Sequence, residues 1–260
     1  MKNFILFLVF KISTNVYAHQ LEENKPTKQN TAVLCMDMIN SFFQREEGDL
    51  INSGKDEFPV NDANNNFVSC VNSVLTQFYS NNIVYVYDCY PENHLTDVVN
   101  YPGFNAFDII PFTVAGCQVQ NMWPKHAKPG SLGANFHQNL SFLSSNKLLK
   151  ATDVETDSFT AFMDKDRKGV PAFENGHTLE DFLKQKNIKH VVLVGVDPKH
   201  CIFGSGWHAA QLGFKAYVVN DAIRTGNMHS LIRPFEEEGG EVIQRNDLSN
   251  YFPWVSAAAS

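Results

Sequence analysis

In an open parallel sheet, ligands bind beyond the carboxyl ends of the strands. Three polar residues stand at such ends: Asp37, Asp88 and Lys150 each close a short apolar run. A fourth such run is followed by Cys201, which opens a helical stretch. A thiol at a helix N-terminus feels the positive end of the dipole, which favours the nucleophilic thiolate. The preceding turn, Gly195-Val-Asp-Pro-Lys-His200, can aim backbone N–H groups at a reacting carbonyl as an oxyanion hole, although Pro198 withholds one of them. Asp37 has the chemistry to take the thiol proton and deliver it later to a departing amine. Lys150 would keep Asp37 ionised or offset developing negative charge. Each also has a plainer role open to it. Cys201 could be a buried structural thiol, Asp37 a turn or helix cap beside Ser41, and Lys150 a solvated strand end.

Asp88, His94 and His126 add oxygen and nitrogen donors of the kind that suit zinc, iron or manganese. Asp88 and His94 share one loop, and His126 lies in Trp123-Pro-Lys-His126. A lone loop histidine is equally a surface residue, so these donors alone do not define a metal site.

The elements that must position these groups follow from hydrophobic periodicity. Ala32–Met36, Ile83–Tyr87, Asn146–Lys150, His190–Val194, Ala216–Val219 and Glu241–Ile243 read as strands. Val60–Ser80, Thr178–Lys186, Cys201–Leu212 and Ser230–Glu238 read as helices. Strands alternating with helices predict a single three-layer α/β domain, a mostly parallel sheet with helices on both faces. A long Pro-, Gly- and Asn-rich stretch from Pro91 to about Asn139 interrupts the alternation, and loops of that length are usually functional or disordered.

The chain has 260 residues, room for one sizeable domain. Its formal net charge is −7 and it shows no basic patch, which argues against a nucleic-acid partner. Lys2, the apolar run Phe4–Phe10 and Ala18 read as a signal peptide over residues 1–18, followed by a polar linker at 19–30 and the folded domain at 31–260. The apolar run is too short to span a bilayer, so the processed chain is expected to be secreted or periplasmic, without a stable membrane anchor. The five cysteines, Cys35, Cys70, Cys89, Cys117 and Cys201, lack paired metal-type spacing, and their pairing stays open.

Five segments in order resemble the isochorismatase-like cysteine hydrolases, and within them the nicotinamidases. Ala32-Val-Leu-Cys-Met-Asp37 through Phe42-Phe43 is similar to the family's first strand with its catalytic aspartate. Tyr87-Asp-Cys-Tyr-Pro-Glu-Asn-His94 resembles its metal loop, Asp-Trp-His-Pro-x-Asn-His, with Tyr90 in place of the central histidine. Trp123-Pro-Lys-His126 with Gly130-Ser-Leu-Gly133 resembles the next segment, Lys150-Ala151 through Asp157-Ser-Phe-Thr-Ala-Phe162 the one after it, and Val191–Gly195 through Cys201 to Asn220-Asp-Ala222 the nucleophile block. Ala127, Ser131, Ala151 and Pro198 replace a family cysteine, threonine, glycine and threonine.

The resemblance implies that Cys201 is the nucleophile, Asp37 the base and acid, and Lys150 the third member. It implies an oxyanion hole from the backbone N–H groups of Asp197 and Cys201, with a cis bond between Val196 and Asp197. Phe42, Trp123 and Phe159 would wall an aromatic substrate, unless they are ordinary core packing. One divalent metal ion (zinc, iron or manganese) would bind Asp88, His94 and His126, with water completing the shell. The partner would be a small-molecule amide: nicotinamide, cleaved to nicotinic acid and ammonia through a Cys201 thioester. Family members are often homo-oligomers, which extends that expectation to this chain. Two other readings compete. One is another amide or ureido hydrolase of the fold; the other is a binding protein whose catalytic site has decayed. Isochorismatases of the vinyl-ether-cleaving branch commonly lack the cysteine, which sets them aside.

Overall fold

The computed structural model describes residues 25–43, 63–108, 113–114, 117–118, 122–163, 171–224 and 229–256. The leader at 1–18, linker residues 19–24 and the start of the helix expected from Val60 lie outside the described residues.

The sheet strands are β1 (Thr31–Met36), β2 (Ile83–Asp88), β3 (Lys147–Lys150), β4 (His190–Gly195), β5 (Lys215–Ile223) and β6 (Glu241–Ile243). They lie in the order β3-β2-β1-β4-β5-β6, and every neighbouring pair is parallel. The side-chain period of two divides the core. Val33 and Cys35 of β1 pack with Tyr85, Val192, Val194 and Val219 on one face. Ala32, Leu34 and Met36 pack with Val84, Val86, Val191 and Leu193 on the other. The first face is covered by α1 (Ala63–Leu75) through Val68, Val71, Val74 and Leu75, joined by Leu248 and Phe252 near the C-terminus. The second is covered by α2 (Leu179–Gln185), α3 (Phe203–Gln211) and α4 (His229–Glu237), through Leu179, Leu183, Phe203, Ala209 and Phe235. The three-layer α/β reading is therefore the observed architecture.

Two details place the site. The strand order runs outward in opposite directions from β1 and β4, so the crevice between their carboxyl ends is the topological switch point. Gly195 ends β4 with φ +116°, and a Cβ there would lie 2.1 Å from the Met36 carbonyl oxygen, so only glycine lets β1 and β4 approach at that edge. The turn at Thr27–Asn30 belongs to the fold: Asn82 Nδ2 donates to the carbonyls of Gln29 and Thr31 at 3.0 and 3.2 Å. Among the described residues, no helix is long and apolar enough to cross a membrane.

Candidate active site

Sheet register assembles the charged half of the site. Asp88, the last residue of β2, pairs directly with Lys150, the last residue of β3. Lys150 Nζ forms a short ion pair with Asp88 Oδ1. Nζ also lies 3.1 Å from Asp37 Oδ2 and 3.5 Å from Cys201 Sγ. Asp37 leaves β1 in the left-handed region, φ +51°, a conformation aspartate tolerates better than most residues. Its N–H donates to Val86 O at 2.7 Å, and its Oδ1 accepts from the Asp88 N–H at 3.0 Å. Oδ2 meets Lys150 as an ion pair without good hydrogen-bond geometry, which leaves this oxygen open toward the Cys201 thiol. Asp37, Asp88, Lys150 and Cys201 are all buried.

Burial raises the Asp37 pKa, and the neighbouring Asp88 charge adds to it; Lys150 and the thiol oppose, leaving it at about 7. For Asp88, burial also acts upward, but Lys150 and His126 outweigh it and hold the carboxyl below its ordinary value. Burial works against the Lys150 charge, yet Asp37 and Asp88 keep the ammonium well above the ordinary lysine range. Cys201 departs from the sequence expectation. Burial and the Asp37 charge push its pKa well up, against the pull of Lys150, so the resting group is a thiol rather than a thiolate. Position also differs from expectation. Cys201 lies within a short π-helical segment, Pro198–Ile202, that feeds α3, so the helix proper starts only at Phe203. π-turns are rare and recur at functional sites. Asp197 caps the segment, its Oδ1 accepting from the Lys199 N–H at 2.9 Å. Pro198 stands at the first position of the segment, where a missing N–H costs little. The Val196–Asp197 bond is cis.

The sulfur opens into a cavity lined by Phe42, Trp123 and Phe159, and by Tyr90, His126 and His200. Asp88, Lys150, Asp197 and Cys201 complete the lining. Buried Asp157 organises the aromatic side. It accepts from Tyr90 Oη at 2.6 Å, Trp123 Nε1 at 3.1 Å and its own neighbour Ser158 N–H at 2.9 Å. His200 Nδ1 lies 3.0 Å from Asp197 Oδ2, and its ring stands edge-on to Trp123 at 5.3 Å. Phe159 and His200 also wall a second, wider cavity with Phe203, Trp207 and Phe235, so these two side chains partition the two spaces.

An isochorismatase domain model matches residues 31–246. The chain belongs to the isochorismatase domain family. A nicotinamidase of Acinetobacter baylyi is 29% identical over 235 residues, covering 88% of this chain and 98% of that protein. A solved nicotinamidase/pyrazinamidase of Acinetobacter baumanii is 26% identical, with a TM-score of 0.69, over 85% of this chain and 98% of that one. A pyrazinamidase of Pyrococcus horikoshii solved in complex with zinc shares the fold at 18% identity and a TM-score of 0.58, over 83% of this chain and 99% of that one.

The ligand set expected here does not assemble among the described residues. Asp88 Oδ2 and His126 Nε2 face each other at 3.7 Å. His94 turns away, with Nε2 donating to Thr156 O at 3.0 Å and Nδ1 2.9 Å from the Thr96 hydroxyl. Both of its ring nitrogens are thus used, and it does not line the cavity. Among the described residues, no three His, Cys, Asp or Glu side chains converge as a ligand group. Cys35, Cys70, Cys89 and Cys201 are free thiols.

Sequence reasoning missed the roles of Asp157 and His200 and the pairing of Asp88 with Lys150. Asp157 was discoverable as an acid isolated among Ser, Thr and Phe in 157–162. Its role was not, because its partners Tyr90 and Trp123 lie 67 and 34 residues away.

Proposed function

We propose that this chain is a nicotinamidase, hydrolysing nicotinamide to nicotinic acid and ammonia through a thioester on Cys201. The carrying observation is the convergence of Cys201, Asp37 and Lys150, with Cys201 and Lys150 lining an aromatic-walled cavity. The chain's likeness to a nicotinamidase over nearly that protein's full length supports the same reading.

The pyridine ring sits between Phe42 and Trp123, with Phe159 closing the edge, and the carboxamide points to Cys201. As sulfur bonds to the amide carbon, the thiol proton passes to Asp37, whose pKa near 7 suits it to both accept and return a proton at neutral pH. The backbone N–H groups of Asp197 and Cys201 hold the oxyanion, and Lys150 offsets the charge gathered at the floor. Asp37 then protonates the amine, the C–N bond breaks, and ammonia leaves a thioester. Water attacks that carbonyl while Asp37 takes its proton. The C–S bond breaks, the sulfur recovers its proton, and nicotinic acid departs. No step passes through a metal.

Ammonia release from nicotinamide, measured beside a Cys201→Ala control, tests the reading. Release that disappears in the control is the expected result. No release by folded protein, with turnover of a carbamoyl or ureido compound instead, would transfer the same chemistry to another substrate. The reading includes export, supported by Lys2, the run Phe4–Phe10 and Ala18. Recovery of the native protein only from cytosol, with Met1 or Lys2 still at its N-terminus, would remove that part.

A further inference from the structure

We infer that the catalytic cavity works without a bound metal ion, because Tyr90 fills the position from which a third ligand would complete a site with Asp88 and His126. The inference concerns the same cavity as the proposed amidase but does not depend on its substrate.

Catalytic zinc sites use three protein ligands and an open position. Here the cavity offers two free donor atoms, Asp88 Oδ2 and His126 Nε2. Asp88 Oδ1 is held by Lys150, an ammonium that also repels a second cation. His126 Nδ1 donates to Pro124 O at 2.9 Å, which fixes the tautomer and leaves Nε2 as the facing atom. The Tyr90 ring lies between the imidazoles of His126 and His94, with centroids at 4.3 and 4.5 Å. It lines the cavity beside the two donors while its hydroxyl turns to Asp157. A phenol ligates such metals well only as phenolate, and here the Tyr90 hydroxyl is already committed to Asp157 Oδ1 at 2.6 Å. His94 cannot substitute while Thr96 and Thr156 occupy its nitrogens. The volume and polarity a metal would bring are thus replaced by a tyrosine–aspartate pair built from protein alone.

The experiment compares zinc binding by calorimetry in the full chain carrying Cys201→Ala, which removes the competing thiol, with the same chain carrying Tyr90→His in addition. Elemental analysis of the purified unmodified protein runs alongside. The expected result is well under one zinc per chain in the unmodified protein, and zinc affinity at least about 100-fold higher in the Tyr90→His chain. One zinc per chain retained through gel filtration, and lost on His126→Ala, would overturn the inference. Equal weak binding in both chains would overturn the role given to Tyr90. If Tyr90→His fails to fold, the metal content of the unmodified protein and the chelator response of its turnover decide the question. A chain whose elemental analysis shows no zinc, iron or manganese yet releases no ammonia upholds the absence of a metal site and removes the nicotinamidase reading.

Discussion

The charged wall of the cavity hangs on the ends of β1, β2, β3 and β4, whereas the aromatic wall is carried by Phe42, Tyr90, Trp123 and Phe159, which lie outside the sheet. On the charged side, position follows from strand register: Asp88 opposes Lys150 because β2 pairs with β3 in a single parallel register. On the aromatic side, Tyr90 and Trp123 come together through one buried carboxylate, Asp157. A sheet edge cannot shift one group without shifting the strand, so it suits the chemistry of attack and proton transfer. A loop wall tied at one residue can change shape by local substitution, so it suits selection of the ring. Tyr90 belongs to this wall, its hydroxyl held by Asp157.

Substitutions on the two walls sharpen the comparison. The largest effect is expected from Cys201→Ala, a loss of turnover on the order of 10⁴-fold or more with folding unchanged; steady-state ammonia release checks it. Asp37→Asn should cost about 10³-fold in kcat with little change in KM. In the unmodified enzyme Asp37 must be ionised to accept the thiol proton. With its pKa near 7, kcat/KM should therefore fall as pH drops below about 7. Lys150, held above the usual lysine range, should bring no matching alkaline loss up to about pH 10. A flat profile between pH 5 and 8 would remove Asp37 as the proton carrier.

Lys150→Met leaves two buried carboxylates without their cation and should destabilise the fold by about 3–5 kcal/mol, read from urea unfolding. Asp157→Asn tests the other wall. It replaces an acceptor of three hydrogen bonds with a group that meets its neighbours partly as a donor, and should raise KM about tenfold with kcat nearly intact. A kcat loss as large as that of Asp37→Asn would break the division between the walls. The smallest effect runs the other way. Ala151, directly after Lys150, has φ +55°, a left-handed conformation that costs alanine about 1–2 kcal/mol but glycine little. Ala151→Gly should raise stability by about 0.5–1 kcal/mol, seen as a small rise in melting temperature.

The layer order, the strands and the reactive groups at their ends were legible in the chain. Apolar runs of period two and helices of period 3.6 are local patterns, and a parallel sheet gathers strand ends on one rim whatever its loops do. Cys201, Asp37 and Lys150 could therefore be read together before any distance was known. The resting thiol, the turning away of His94, the pairing of Asp88 with Lys150 and the three-donor grip of Asp157 are of another kind. They depend on burial, on like charges forced together and on hydrogen bonds between residues as many as 67 positions apart. Local sequence supplies the donor types, but only tertiary packing decides which donors are already used and which still face the cavity.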